Sequence, residues 1–132
     1  MGTEISHFWV GFFNRENDYF DFFAEKPDFY IDEKDLEEKY ISEFAESQGV
    51  NWIDHDLMEC GFENSEKSLS ERFKGYSYSK EWLQEMEYRI EKNSIGKVNA
   101  IAFVTKRAIG NPTNVIRDNF SLIYIGEIEY EI

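Results

Sequence analysis

Cysteine is almost absent: Cys60 stands alone among 132 residues, which excludes an internal disulfide and a multi-cysteine zinc site. A lone thiol fits a reducing compartment or a secreted protein that needs no staples. Histidine is nearly as scarce, and His7 with His55 cannot fill a zinc site, which usually takes several His or Cys ligands. Cations are few as well. Fourteen Lys and Arg against 27 Asp and Glu leave a net charge of −13, which repels phosphate backbones, so direct binding to DNA, RNA or anionic lipid is disfavoured. The longest apolar run, residues 8–13, falls far short of the roughly 20 residues of a membrane span. No apolar segment follows a basic one near the start, so no secretory leader is expected and the cytoplasm is the expected location. Neither a nucleophile elbow nor a Gly-rich phosphate loop occurs: the surroundings of Gly61 and Gly75 match neither pattern.

Aromatic residues are abundant. Twelve Phe, 8 Tyr and 3 Trp allow a substantial core despite a mean hydropathy of −0.59, which excludes global disorder. The length suits a single domain spanning residues 1–132, and no repeat, low-complexity tract or linker divides it. Residues 5–13, apolar at successive positions, predict a central strand covered on two sides. Asn14 offers a cap for a helix whose Tyr19, Phe20 and Phe23 face the core, with Asp18 and Asp21 toward water. Pro27 ends that element, and Asp32 caps a second helix over 32–48 with the apolar set Leu36, Tyr40, Ile41, Phe44 and Ala45, stopped by Gly49.

Residues 50–53 read as a short strand, and 60–75 as loop with a helical piece at 69–73. Ser79 caps a helix over 80–92 with Trp82, Leu83, Met86 and Ile90 at helical spacing. Residues 98–105 predict a buried strand and 120–132 a last one, in which Ile128, Tyr130 and Ile132 alternate with Glu127, Glu129 and Glu131. The fold class is α+β: a mostly antiparallel sheet of about four or five strands with helices mainly on one face.

Asp54, His55 and Asp56, with Glu59 nearby, form the one cluster with the residue types of a metal or acid–base site. Missing ligands and a missing nucleophile favour a turn stabilised by Asp, with no metal, no cofactor and no catalytic residue expected. Cys60 reads as a small buried hydrophobe and His7 as a satisfied core or edge histidine. Residues 14–48 carry 12 acidic side chains against four basic ones, a local net of −8. A charge run is commonly just a solvated face, but this concentration also suits a positively charged protein partner. Phe29 and Tyr30, claimed by neither helical stripe, are either buried anchors for such a partner or simple loop packing.

The segments HFWVGFF (7–13), ISEFAESQGVNW (41–52) and DHDLMECGF (54–62) resemble, in that order, the family of immunity protein 22. Its members belong to bacterial polymorphic-toxin and contact-dependent competition systems, in which the producing cell binds its own toxin. The resemblance is most specific at Trp52, Asp54, His55, Asp56, Gly61 and Phe62. It implies an α+β cytoplasmic domain without enzymatic activity, whose partner is a cognate toxin C-terminal domain. Charge and resemblance agree, because a toxin that attacks nucleic acid must be basic. The expected contact surface is Phe29, Tyr30, Asp32, Glu33, Asp35, Glu37 and Glu38, with Glu127, Glu129 and Glu131 as the fallback. The alternatives are an acidic nucleic-acid mimic that inhibits a DNA-binding protein and a small metal-dependent hydrolase centred on Asp54, His55 and Asp56.

Overall fold

A computed structural model describes residues 2–25 and 39–132, with the backbone alone at Lys39. The chain runs β1 (Thr3–Phe13), α1 (Glu16–Phe23), β2 (Lys39–Tyr40), α2 (Glu43–Ser47), β3 (Ile53–Asp54), β4 (Met58–Phe62), α3 (Leu69–Phe73), α4 (Ser79–Lys92), β5 (Ala100–Thr105), β6 (Val115–Ile116) and β7 (Phe120–Glu131). Five strands form an antiparallel sheet in the order β4-β5-β1-β7-β6, and β2 pairs with β3 separately. The α+β class and the antiparallel sheet are as the sequence predicts.

β1 is the central strand because its side chains are apolar on both faces, and each face has its own helical cover. Phe8 and Val10 join Ile101 and Phe103 of β5 and Ile128 and Tyr130 of β7 beneath Phe73 of α3 and Trp82 and Met86 of α4. Trp9 and Phe13 join Ala102, Val104, Phe120 and Leu122 on the other face, beneath Tyr19, Phe22 and Phe23 of α1 and Phe44 of α2. Among the described residues the helices therefore divide two and two between the faces, where the sequence predicts them mainly on one. Rings interlock within each layer: Phe8 stacks on Phe103 at 4.9 Å, Phe13 on Phe120 at 4.4 Å, and Trp9 meets Phe44 edge to face at 5.2 Å. Such pairs add about 0.5–1.5 kcal/mol each beyond the area they bury.

The two faces do not run straight through β7. Phe8 pairs with Gly126 but Trp9 pairs with Tyr124, so Ile125 is an extra residue, a bulge. Gly126 has a φ of +103°, which L side chains rarely adopt, and the Arg89 guanidinium donates to the Ile125 carbonyl at 3.0 Å. Before the bulge Ile123 and Ile125 face α4; after it Ile128 and Tyr130 do. Glu127, Glu129 and Glu131 are thereby turned to the opposite face, where they are exposed.

Side-chain amides complete the backbone pairing where strands run out. Asn99 is buried just ahead of β5; its Oδ1 accepts from Phe13 N–H and its Nδ2 donates to Phe13 C=O, both at 2.9 Å. Gln48 does the same for Thr113, accepting from its N–H at 2.7 Å and donating to its carbonyl at 3.1 Å. Trp9 Nε1 donates to that same carbonyl at 3.0 Å.

Several local expectations shift. In α1 the core-facing set is Tyr19, Phe22 and Phe23, a true i, i+3, i+4 stripe, and Phe20 is exposed. Asp18 is buried rather than solvated, because Arg15 donates to it at 3.1 Å and the pair holds its carboxyl below the usual carboxylate range. Arg15, not Asn14, is the cap residue, and it makes no side-chain capping bond. The helix expected over 32–48 is, among the described residues, a strand followed by a five-residue helix. Tyr40 pairs with Ile53 and its hydroxyl donates to Phe23 C=O, so tertiary pairing wins over helical propensity, and Ser42 caps α2 through Ala45 N–H at 3.1 Å. Gly49 ends α2 as expected: at φ +80° its N–H reaches Glu46 C=O and Val50 N–H reaches Ala45 C=O. β4, in the stretch read as loop, exists because it covers β5 from Val104 to Ala100. At Gly61 a Cβ would overlap the phenol of Tyr76.

Two consequences are measurable. Asn99→Leu keeps the volume but strands Phe13 N–H and C=O, so it should lower stability by about 2–4 kcal/mol, read as a lower urea midpoint at unchanged slope. Gly126→Ala should cost about 1–3 kcal/mol through its positive φ, and a loss under about 0.5 kcal/mol would show that the bulge relaxes.

Candidate partner-binding surface

The chemistry-bearing side chains are occupied one by one. His7 is buried, and because a carbonyl can only accept, its Nε2 carries the proton donated to Ile109 C=O at 3.0 Å. Its Nδ1 then takes the Tyr124 hydroxyl at 2.8 Å, so neither nitrogen is open to a substrate. Cys60 accepts from the Tyr19 hydroxyl at 3.4 Å, and burial pushes its thiol up, away from the thiolate that reacts. The cleft over His7, about 690 Å³, is bordered by Lys106, whose ammonium is 3.1 Å from Glu127.

Asp54, His55 and Asp56 form a capped turn. Asp54 Oδ1 accepts from Asp56 N–H at 2.9 Å and starts a short 3₁₀ turn, His55–Leu57. The His55 ring meets Tyr40 edge-on at 5.8 Å, and its Nε2 stands 3.3 Å from Glu25 Oε1, at ion-pair distance but without hydrogen-bond alignment. Among the described residues no group of three or more His, Cys, Asp or Glu is placed to hold a metal.

Of the surface expected from the sequence, Phe29, Tyr30, Asp32, Glu33, Asp35, Glu37 and Glu38 all lie outside the described residues. Within them, charge meets two exposed large side chains, Tyr78 and Ile132, at the far end of the sheet, while Phe20, Trp52, Tyr88 and Ile116 are exposed elsewhere. There β5 reaches β1 only to Ser6, and β6 covers β7 only at Ser121 and Leu122, so among the described residues 3–5 of β1 and 129–131 of β7 continue as a two-stranded ribbon. One face of the ribbon shows Glu129 and Glu131, and Glu127 precedes them on the same face. The other shows Glu4 and the Ser6–Tyr130 hydroxyl pair at 2.8 Å, walled by Asp56, Glu59 and the exposed Tyr78.

Tyr78 is the residue that the sequence reading missed. It occupies the cap position of α4 at φ 57°, a left-handed conformation that costs a non-glycine residue energy, and it makes no capping bond. Ser79, expected to cap, instead lies inside the helix and its hydroxyl donates to Lys74 C=O at 2.6 Å. The available signal was an aromatic outside the Trp82–Met86 stripe, the same argument that selected Phe29 and Tyr30.

The family model for immunity protein 22 matches residues 6–131, nearly the whole chain. The chain belongs to the immunity protein 22 family. No curated protein and no solved structure matches it. Membership gives an immunity role with a toxin as partner. In the described residues no helix is long and apolar enough to cross a membrane.

For an immunity protein 22 member whose Asp54–Asp56 segment is only a turn, His55→Ala should change toxin affinity by no more than about 0.5 kcal/mol. One metal per chain by elemental analysis would contradict that assignment.

Proposed function

We propose that this chain is a non-catalytic inhibitor in the cytoplasm of a toxin-producing bacterium. It binds the C-terminal toxin domain of a polymorphic-toxin or contact-dependent competition system and blocks it stoichiometrically. Family membership over residues 6–131 carries the reading. The charge of −13 supports a cationic partner such as a nuclease domain, because an acidic surface accelerates encounter with a basic one and complements its phosphate-binding site. The occupied state of His7 and Cys60 supports inhibition by binding over turnover.

The same charge also suits a nucleic-acid mimic, and the two readings differ in selectivity. A cognate inhibitor must hold its toxin more tightly than substrate does. Isothermal titration against the toxin domain encoded beside it should give one-to-one binding at about nanomolar affinity, near −12 kcal/mol. Equal affinity for unrelated DNA-binding proteins, each displaced by DNA, would favour the mimic.

A further inference from the structure

The groove beside Tyr78 has a composition of its own. It encloses about 250 Å³, below the roughly 300–1,000 Å³ of sites for free small molecules, and so suits one inserted side chain. Its floor and walls include Leu57, Met58, Phe103 and Tyr130, and Tyr78 and Ile132 stand exposed along its lip. Glu4, Asp56 and Glu59 supply its charge, and among the described residues no Lys, Arg or His lines it.

Glu59 is already oriented. Ser77 donates to both its oxygens, from N–H at 3.0 Å and from Oγ at 2.6 Å, which fixes the carboxylate plane without neutralising it. The Tyr78 ring lies 6.2 Å from that of Tyr130, so the groove has an aromatic wall continuous with its floor. An aliphatic stem matches the apolar floor, and a cationic head matches the carboxylates. A planar guanidinium matches best, since it stacks on an aromatic face and takes carboxylate oxygens two at a time.

We propose that this groove receives an arginine side chain projecting from the toxin partner, with Tyr78 as its stacking wall and Asp56 and Glu59 as its acceptors. The assignment rests on the immunity reading above. The left-handed backbone at Tyr78 presents the ring outward at a cost in stability, which a residue kept for contact rather than for folding can bear.

The test has two arms. Backbone amide shifts of the full chain are followed while N-acetyl-arginine amide is added, with the lysine analogue as the comparison. Saturable shifts confined to Glu59, Ser77 and Tyr78, stronger with arginine, are expected; none at these amides, or equal shifts with lysine, overturns the groove assignment. In the second arm, affinity for the neighbouring toxin domain is measured for Tyr78→Gly and Glu59→Gln. Glycine relieves the positive φ, so Tyr78→Gly should melt no lower than wild type yet bind at least about 30-fold more weakly, mainly through faster dissociation. Wild-type binding that changes less than about threefold in both variants overturns the proposal and leaves the immunity reading intact. Failure of the wild type itself to bind removes that reading and this docking role together, a result that the arginine titration tells apart from a defective groove.

Discussion

The bulge at Ile125 and Gly126 decides which face of the molecule is charged. Up to Tyr124, even positions of β7 belong to the α1–α2 side, and an unbroken strand would continue that order. Glu127, Glu129 and Glu131 would then lie under α4, three carboxylates against Trp82 and Phe103, where each unpaired charge would cost several kcal/mol. One extra residue exchanges the faces, seating Ile128 and Tyr130 in the core and sending the glutamates to water. Only a residue without Cβ takes φ +103° cheaply, so Gly126 makes the exchange possible and Arg89 fixes it through the Ile125 carbonyl.

Everything else on the sheet follows from a central strand that is apolar on both sides. β1 needs a strand at each edge and a helical layer on each face, and the described helices supply the layers in succession: α1 and α2 for one face, then α3 and α4 for the other. Short elements suffice because the rings are large. α2 has five residues, yet Phe44 alone bridges Trp9, Phe22 and Phe23. Where the chain must leave the sheet, Asn99 and Gln48 pair with buried and part-buried peptide groups that have no strand partner there.

Most of the parts legible in the sequence were those with long, consistent periodicity, although the five-residue α3, Leu69–Phe73, is also where the sequence predicts it. β1, β5, β7 and α4 lie within a few residues of their predicted positions, because each carries an apolar pattern of at least one full stripe. β4 was not legible: Met58, Glu59, Cys60, Gly61 and Phe62 alternate in neither polarity nor size, and only pairing with β5 makes them a strand. The segment before Gly49 misled for the opposite reason, since Tyr40 and Phe44 sit at helical spacing but Tyr40 is drawn into β2 by Ile53 and the Phe23 carbonyl. In β7 the alternation was visible but its direction was not, because a bulge changes which face a parity denotes without changing the parity itself. Tyr78 was hidden by Ser79, which has the residue type of a cap and a different role.

Charge and contact are separable on this molecule, and the separation bears on how an inhibitor of this kind would act. Exposed carboxylates act over about a Debye length, roughly 8 Å at physiological salt, and change chiefly the rate of encounter. Glu129 and Glu131 are of this kind: both are exposed to solvent on the ribbon. The groove carboxylates differ, because Glu59 is anchored by Ser77 and sits against an apolar floor where water is partly excluded and each interaction is stronger. On the proposal made above, a partner drawn in by the first set is retained by the second. The bulge links them, since the residue that turns Glu129 and Glu131 outward on one face also places Tyr130 beneath Tyr78 on the other. On that proposal recruitment and retention lie on opposite sides of one two-stranded ribbon, whose faces are set by the single backbone conformation of Gly126.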